Sequence, residues 1–174
     1  LNCSLIGVCD LFDVRANQGL DASKNEIRPG GKPRSMATRY LHYTELLAND
    51  EIDAVIVATP DHWHARIAID AAKAGKHVYC EKGLTRTFDE AIALHDVVKE
   101  TGITFQLGHQ NRQVEANEKA KQIIRQGLLG KVNLVELATN RNSPWGAWVW
   151  NIHPKGNVKT IDWDTFQEPS PNKF

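Results

Sequence analysis

Short apolar segments alternate with helical segments along most of the chain, and this alternation constrains the fold more than any other feature. The apolar segments predict strands of four to seven residues at about 3–9, 53–59, 77–80 and 103–108. Between them lie segments with the spacing of amphipathic helices, which are long enough to cross back over a sheet. Such crossovers join strands that run in the same direction, in right-handed βαβ units. The sequence therefore predicts an α/β fold with a doubly wound parallel sheet covered on both faces.

Local signals set the expected ends of the helices. Asp61 can cap the helix that follows the second predicted strand, and Gly75 can end it in the left-handed conformation. Thr87 and Glu90 form a T-x-x-E capping box for the next helix. Also expected are helices at about 13–21 and 44–49 and before Gly127, a loop at about 23–38, and a longer strand at about 131–140.

Composition excludes several classes of protein. The 174 residues include 21 Lys and Arg and 21 Asp and Glu, so the zero formal charge gives no reason to expect nucleic acid or an anionic membrane as partner. No apolar run approaches the roughly 18 residues that a membrane helix needs. Three cysteines without a C-x-x-C predict neither a disulfide framework nor a zinc site, and they favour a reducing, cytoplasmic compartment.

Polar side chains follow the four predicted strands at the points where the strands end. In an open parallel sheet, ligands bind beyond the carboxyl ends of the strands. This rule selects Asp10 and the segments 59–62, 81–83 and 108–110. Together these positions predict a ligand site at one edge of the sheet.

Two of these strand ends carry side chains with informative chemistry. Asp10 can accept hydrogen bonds from the hydroxyls of an adenosine ribose, or it can simply cap a helix. Lys82 can place a positive charge and three donors beside a reacting oxygen, with Glu81 fixing its position. The alternative for Glu81 and Lys82 is a surface ion pair, which contributes about 0–1 kcal/mol.

His62-Trp63-His64 invites interpretation as a metal site, because imidazole is the commonest transition-metal ligand. The residues after His64 do not continue the H-x-H-x-D-H pattern of metallo-β-lactamases. The chain is also shorter than the roughly 200 residues of a barrel-type amidohydrolase. We therefore expect no metal. The alternative is that one histidine faces a cofactor or a backbone carbonyl and the other faces solvent.

Four segments, in order along the chain, resemble the Gfo/Idh/MocA oxidoreductases. They are IDAVIVATPDHWHARIAIDAAKAGKHVYCEKG, TFQLGHQNR, QGLLGKV and IDWDTFQEPSPNKF, and the last resembles a segment common in the sugar-acting branches of that family. The resemblance implies a truncated Rossmann-type domain at 1–110 that binds NAD, with NADP as the alternative. It also implies that 111–174 are a linking helix and the start of a second α/β domain, which in this family carries much of the substrate site and the oligomer interface.

The resemblance also implies roles for individual residues. Those implied to bind the cofactor are Asp10 at the adenosine ribose, Thr59, Pro60 and His64 near the nicotinamide, Glu81 and Lys82 in the family's Glu-Lys-Pro motif, and Gln110 and Arg112 in its Gln-x-Arg motif. Lys82 is also the implied catalytic residue, because it would approach the reacting hydroxyl of the substrate.

Three departures from the family pattern bear on function. Gly83 stands where the family has proline, so the loop that holds Lys82 is expected to be less rigid. The chain has no glycine-rich G-x-G-x-x-G turn, and His153 fits no motif that would make it the family's later catalytic histidine. The chain also begins without methionine and almost at once with a strand. From these features we expect a fragment that is inactive by itself and binds NAD weakly or not at all.

The resemblance implies an NAD(P)-dependent oxidoreductase that acts on a hydroxyl of a sugar, cyclitol or related polyol and forms homo-oligomers. Two alternatives stay open: a cofactor-binding relative without catalysis, which Gly83 suggests, and a glycosidase that uses NAD only transiently. Trp145 and Trp148 lie in a tryptophan-rich stretch. They are expected either to pack on a sugar-like substrate or to be buried in the core of the second domain.

Overall fold

The described strands are all parallel and form two sheets. The structure, a computed structural model, describes residues 3–24, 36–138 and 151–170. Its strands are β1 (Gly7–Cys9), β2 (Thr38–Tyr40), β3 (Ala54–Val57), β4 (His77–Glu81) and β5 (Phe105–Gly108). The smaller sheet pairs β1 with β2, and the larger sheet has the order β3-β4-β5.

The break between the two sheets lies between β1 and β3. No ladder joins these two strands within the described residues, so each has one unpaired edge. A Rossmann sheet has the order 3-2-1-4-5-6. If β2 and β1 take the first two places and β3, β4 and β5 the last three, the break coincides with the central strand. The arrangement therefore agrees with the expected Rossmann-type parallel sheet.

Six helices lie within the described residues, and no helix there is long and apolar enough to cross a membrane. They are α1 (Asp13–Ser23), α2 (Tyr43–Leu47), α3 (Asp61–Lys73), α4 (Phe88–Thr101), α5 (Glu115–Arg125) and α6 (Trp163–Gln167). The capping box of Thr87 and Glu90 is confirmed at the start of α4. Gly75 follows α3 with a φ of 72°, as expected.

The expected capping role of Asp61 is wrong. The N-cap of α3 is Pro60, in an extended conformation, and no side chain caps this end. Asp61 is instead the first residue of the helix. Its carboxylate there complements the partial positive charge of the helix N-terminus rather than bonding to a backbone N–H.

Helices α3 and α4 cover one face of the larger sheet. Val57, Val78 and Cys80 project to that face and are buried. Against them lie Ala68 and Ala71 of α3, which are also fully buried. Because alanine side chains are small, α3 can lie close to the strands, and this packing fixes the helix that begins at the carboxyl end of β3.

The opposite face of the same sheet is exposed, although the sequence predicted cover on both faces. Ile56 and Tyr79 are partners in the ladder between β3 and β4 and point to this face. The side chain of Ile56 is 76% exposed. Successive side chains of a strand alternate between faces, so helices on one side alone leave every second residue uncovered.

Three strand expectations differ from the structure. The first strand is confined to Gly7–Cys9, and β2 occurs at the end of a segment that was expected to be a loop. No strand forms at 131–138, where Leu134 and Leu137 are among the exposed residues. A strand requires a ladder partner, and no described residue pairs with that segment.

The chain divides into two compact units, Leu1–Gly108 together with Pro154–Phe174, and His109–His153. The expected end of the first domain, residue 110, is close to this division. The expectation that 111–174 belong together differs from the structure, because the C-terminal strap (residues 154–170) packs with the first unit. The backbone N–H of Asp162 donates to Leu11 O at 3.0 Å, and that of Asp13 donates to Thr160 O at 3.1 Å.

The same strap contacts the first turn of α3. The backbone carbonyl of Phe166 accepts hydrogen bonds from His62 Nε2 at 2.7 Å and from Trp63 Nε1 at 3.0 Å. Arg66 forms an ion pair with Glu168, with Nη1 and Oε1 2.8 Å apart. The strap therefore connects the end of β1 with the start of α3, which lie on either side of the break in the sheet.

The buried face of the larger sheet predicts the order in which the three cysteines react. Burial, together with the charge of Glu81, raises the pKa of the Cys80 thiol to about 11, so the reactive thiolate is scarce near neutral pH. Burial and the charges of Asp10 and Glu45 likewise raise the pKa of Cys9 to about 11, while Cys3 is exposed.

We expect iodoacetamide to label Cys3 first and Cys80 last, as measured by mass spectrometry. The denatured chain is the control, in which all three should label. Equal rates for Cys3 and Cys80 in the folded chain would contradict this packing.

Candidate functional site

The strands of the larger sheet end side by side. In the ladders, Val57 is opposite Cys80 and Glu81 is opposite Gly108, so the chain leaves β3, β4 and β5 at one edge. Thr59 follows β3 by two residues, and Lys82 comes directly after β4. This edge is the place where open parallel sheets bind ligands.

Asp10 directly follows β1 and is half-buried. Its Oδ1 accepts a hydrogen bond from the backbone N–H of Phe12 at 2.8 Å, and no described residue donates to Oδ2. Burial raises the pKa of the Asp10 carboxyl, while this hydrogen bond and the charges of Arg15 and Arg39 lower it. A carboxylate with one oxygen fixed and the other unbonded is suited to accept from a ribose hydroxyl.

Thr59 places a buried hydroxyl at the end of β3. Its Oγ1 has no hydrogen-bond partner among the described residues. A buried hydroxyl without a partner loses its hydration without compensation, so such a group calls for an explanation. A ligand at this edge of the sheet would provide the missing partner. The Thr59 hydroxyl and the Asp10 carboxylate therefore both fit a hydroxyl-rich cofactor such as NAD.

His64 lies between the two loops that follow β3 and β4. Its ring is buried, with Nε2 2.6 Å from Thr59 O and Nδ1 2.7 Å from Gly83 O. Both ring nitrogens thus face backbone carbonyls, one of the alternatives considered for this histidine. His64 therefore connects the loop after β3 with the loop after β4.

Both histidines of the His62-Trp63-His64 motif form hydrogen bonds to backbone carbonyl groups. His62 donates to Phe166 O, as His64 faces Thr59 O and Gly83 O. Within the described ranges, no group of three or more His, Cys, Asp or Glu residues is placed to hold a metal ion.

Lys82 is exposed on the loop that His64 holds. The Lys82–Gly83 peptide bond is cis. The ion pair with Glu81, which was the alternative to a functional role, is not formed, and Lys82 makes no ion pair with any other described residue. The ammonium group of Lys82 is therefore available to a ligand at this edge, and nothing in the described chain neutralises it.

Several expected site residues lie outside the unit formed by Leu1–Gly108 and Pro154–Phe174. Gln110 and Arg112 belong to the unit His109–His153, where both are exposed. Between them, Asn111 has a φ of 68°, and its carbonyl accepts from the side chain of Asn117. Trp145 and Trp148 lie outside the described residues.

Two features of the site were not found from the sequence. Arg39 lies near Asp10, pairs with Asp13, and has a buried Nε without a partner among the described residues. It was missed because β2 was not predicted. The second is the backbone carbonyl of Phe166, which carries no signal in the sequence.

Comparison with known proteins places this geometry in a family. A sequence profile described as "Oxidoreductase family, NAD-binding Rossmann fold", that of the Gfo/Idh/MocA family, matches residues 7–109. Levoglucosan dehydrogenase of Pseudarthrobacter phenanthrenivorans is 40% identical over 90 residues, which cover 52% of this chain and 23% of that protein. An α-N-acetylgalactosaminidase of Shewanella oneidensis is 28% identical over 165 residues, which cover 88% of this chain and 36% of that protein.

Solved structures show the same relationship. Myo-inositol 2-dehydrogenase from Lactobacillus plantarum has a TM-score of 0.61 at 26% identity, covering 74% of this chain and 35% of that one. A levoglucosan dehydrogenase in complex with NADH and levoglucosan has a TM-score of 0.60 at 29% identity, covering 74% and 32%. The chain thus spans about a quarter to a third of the length of these relatives. Since the profile matches more than half of the chain, the protein belongs to the Gfo/Idh/MocA family of NAD-binding oxidoreductases.

Proposed function

We propose that the protein is an NAD-dependent oxidoreductase that acts on a hydroxyl of a sugar, cyclitol or related polyol. The observation that carries this proposal is the placement of Lys82, an exposed cation directly after β4 that no described residue neutralises. His64 ties its loop to the one that holds Thr59, whose hydroxyl has no partner among the described residues. Family membership supports it, because levoglucosan dehydrogenase and myo-inositol 2-dehydrogenase are similar proteins whose names indicate such substrates.

Different residues of the first unit are proposed to contact different parts of the cofactor. A bound nicotinamide accepts or supplies the hydride in a reaction of this class. We assign the ribose of the adenosine half to Asp10, and the nicotinamide half to the loop of Thr59 and Pro60 and to Glu81. His64 contributes by fixing that loop. Gln110 and Arg112 are proposed as further cofactor contacts, on the family resemblance alone.

Lys82 is proposed to act on the oxygen of the substrate. Negative charge develops on that oxygen as its proton leaves, and the ammonium group of Lys82 can donate a hydrogen bond to it. A fixed donor of this kind is most effective where water is excluded and where it needs no rearrangement during the reaction. The tie between Gly83 O and His64 limits the movement of the Lys82 loop and so supplies part of that preorganisation.

The domain roles, the alternative cofactor, the assembly and the compartment are proposed on the family resemblance and on the cysteines. Residues 1–110 are proposed as the partial cofactor-binding domain, and 111–153 as the start of the substrate and oligomer domain, with Trp145 and Trp148 against the substrate. NADP stays the alternative cofactor and a homo-oligomer the proposed assembly. None of the three cysteines forms a disulfide, which supports a reducing compartment such as the cytoplasm.

A second candidate function is a glycosidase that uses NAD transiently. The α-N-acetylgalactosaminidase of Shewanella oneidensis matches 165 residues, far more than the 90 matched by levoglucosan dehydrogenase. A glycosidase of this kind returns its cofactor to the starting redox state in each cycle. Incubation of the catalytically active protein with NAD and a panel of polyols and glycosides distinguishes an oxidoreductase from a glycosidase. An oxidoreductase accumulates NADH absorbance with a polyol, whereas a glycosidase releases aglycone without net NADH. Binding of NAD with neither product would support a non-catalytic relative and overturn both.

We expect Lys82→Ala to abolish most turnover while the protein still folds and binds NAD. Loss of one positioned donor to a developing oxyanion lowers kcat by about 100- to 1,000-fold. Steady-state kinetics with the active protein, together with an NAD titration, measure both properties. Lys73→Ala is the matched control, because Lys73 is an exposed lysine in the last turn of α3. A folded Lys82→Ala protein with near-normal kcat would refute the catalytic role.

We expect the active protein to prefer NAD over NADP, because the Asp10 carboxylate repels a 2′-phosphate and accepts from a free 2′-hydroxyl. A hydrogen bond to a charged group contributes about 1.5–3 kcal/mol, which corresponds to about tenfold or more in kcat/KM. Asp10→Ser should lower the ratio of kcat/KM for NAD to that for NADP by this factor. Asp21→Asn is the control, since Asp21 is an exposed acid on α1 that pairs with Lys24. A wild-type preference for NADP would show instead that Arg15 and Arg39 outweigh Asp10.

A further inference from the structure

Among the described residues, His64 and Cys80 have the largest fully buried side chains, and His64 is 1% exposed. It lies on α3, four residues from the N-cap, with the end of β3 on one side and the loop after β4 on the other. Its nitrogens are 2.6 Å from Thr59 O and 2.7 Å from Gly83 O, both hydrogen-bond distances.

A carbonyl oxygen can only accept a hydrogen bond. A neutral imidazole has one N–H and one nitrogen with a lone pair, so it can donate to one carbonyl only. At the other carbonyl, the lone pair of nitrogen would face the lone pairs of oxygen at 2.6–2.7 Å, which is repulsive. Both contacts are favourable only when both ring nitrogens carry hydrogen. We propose that His64 is a doubly protonated imidazolium that bridges the Thr59 and Gly83 carbonyls and thereby positions Lys82.

The surroundings of the ring show what opposes and what stabilises this charge. The partial positive charge of the N-terminus of α3 opposes it, although this effect falls off within the first turn. Asp61 and His62 precede His64 on α3, and Cys80, Glu81 and Lys82 are the charged and titratable residues at the end of β4 and the start of the loop after it. Asp61 has its Oδ2 only 3.7 Å from the position of a Cβ on Gly83, so a carboxylate lies beside the bridged loop. Two charge-assisted hydrogen bonds replace the hydration that the buried cation has lost.

The bridge has a consequence for the reaction. Thr59 and Gly83 lie on loops that leave different strands, and no backbone hydrogen bond between these two residues is among the described contacts. His64 connects them directly, next to the residue that carries the catalytic ammonium. This consequence for turnover rests on the proposed function, whereas the charge of His64 does not. His64 is accordingly a positioning residue, which touches neither cofactor nor substrate.

Nitrogen NMR of the full chain labelled with ¹⁵N-histidine tests the charge directly. Near pH 7 an ordinary histidine is mostly neutral and shows one protonated and one unprotonated nitrogen. We expect both nitrogens of His64 to show protonated shifts, each with a directly bonded hydrogen. The signals are assigned by their loss in His64→Gln. An unprotonated nitrogen in His64 near pH 7 would overturn the proposal, whatever reaction the protein catalyses.

Kinetics of two variants test the positioning role in the active protein. His64→Gln keeps an amide donor for one carbonyl, and His64→Leu keeps none. Because misplacement of a catalytic group by about 1 Å can cost about 100-fold in rate, we expect kcat to fall up to about 100-fold in His64→Leu and less in His64→Gln, with little change in KM. Wild-type kcat in a folded His64→Leu protein would overturn the positioning role. A His64→Leu protein with lower stability and lower KM but wild-type kcat would also overturn the positioning role. If His64→Leu does not fold, a wild-type kcat in His64→Gln overturns it.

Discussion

The parallel ladder of β3, β4 and β5 is the constraint on which the site depends. Its register places Val57 opposite Cys80 and Glu81 opposite Gly108, so that the segments after β3 and β4 start from one edge. The ladder holds its register because Val57, Val78 and Cys80 are buried on one face; a slip of one residue would expose all of them. The packing of α3 on the sheet thus determines which side chains, Thr59 and Lys82 among them, lie at this edge.

Polar contacts then connect parts that the ladder leaves separate. His64 joins the loops after β3 and β4, and the Phe166 carbonyl joins the strap to the first turn of α3. The strap also reaches the connection between β1 and α1, where Asp162 N–H donates to Leu11 O. The two sheets share no ladder among the described residues, so contacts of this kind bring Asp10 into the same unit as Lys82.

Local signals in the sequence were sufficient for much of the fold, and non-local pairing accounts for most of the rest. The capping box of Thr87 and Glu90 lies within four residues and can be predicted directly from the sequence, as can the alternation that indicates parallel strands. β2 cannot, because three residues paired with β1 form a strand only through a partner about 30 positions away. The strand expected at about 131–140 is absent at 131–138 for the converse reason. Its apolar pattern suits a strand, but no described residue pairs with it. Asp10 and Lys82 can be proposed as site residues from strand position and resemblance, but the hydrogen bond between His64 and Gly83, 19 residues away, has no sequence signal.

Binding of NAD at the edge where β1, β3 and β4 end can be tested by hydrogen exchange of the full chain, measured by mass spectrometry with and without a large excess of NAD. We expect slower amide exchange on binding at 10–13, 59–64 and 81–84, with unchanged exchange in the middle of α4 and in α2. Protection confined to other segments, or none at these three, would contradict it.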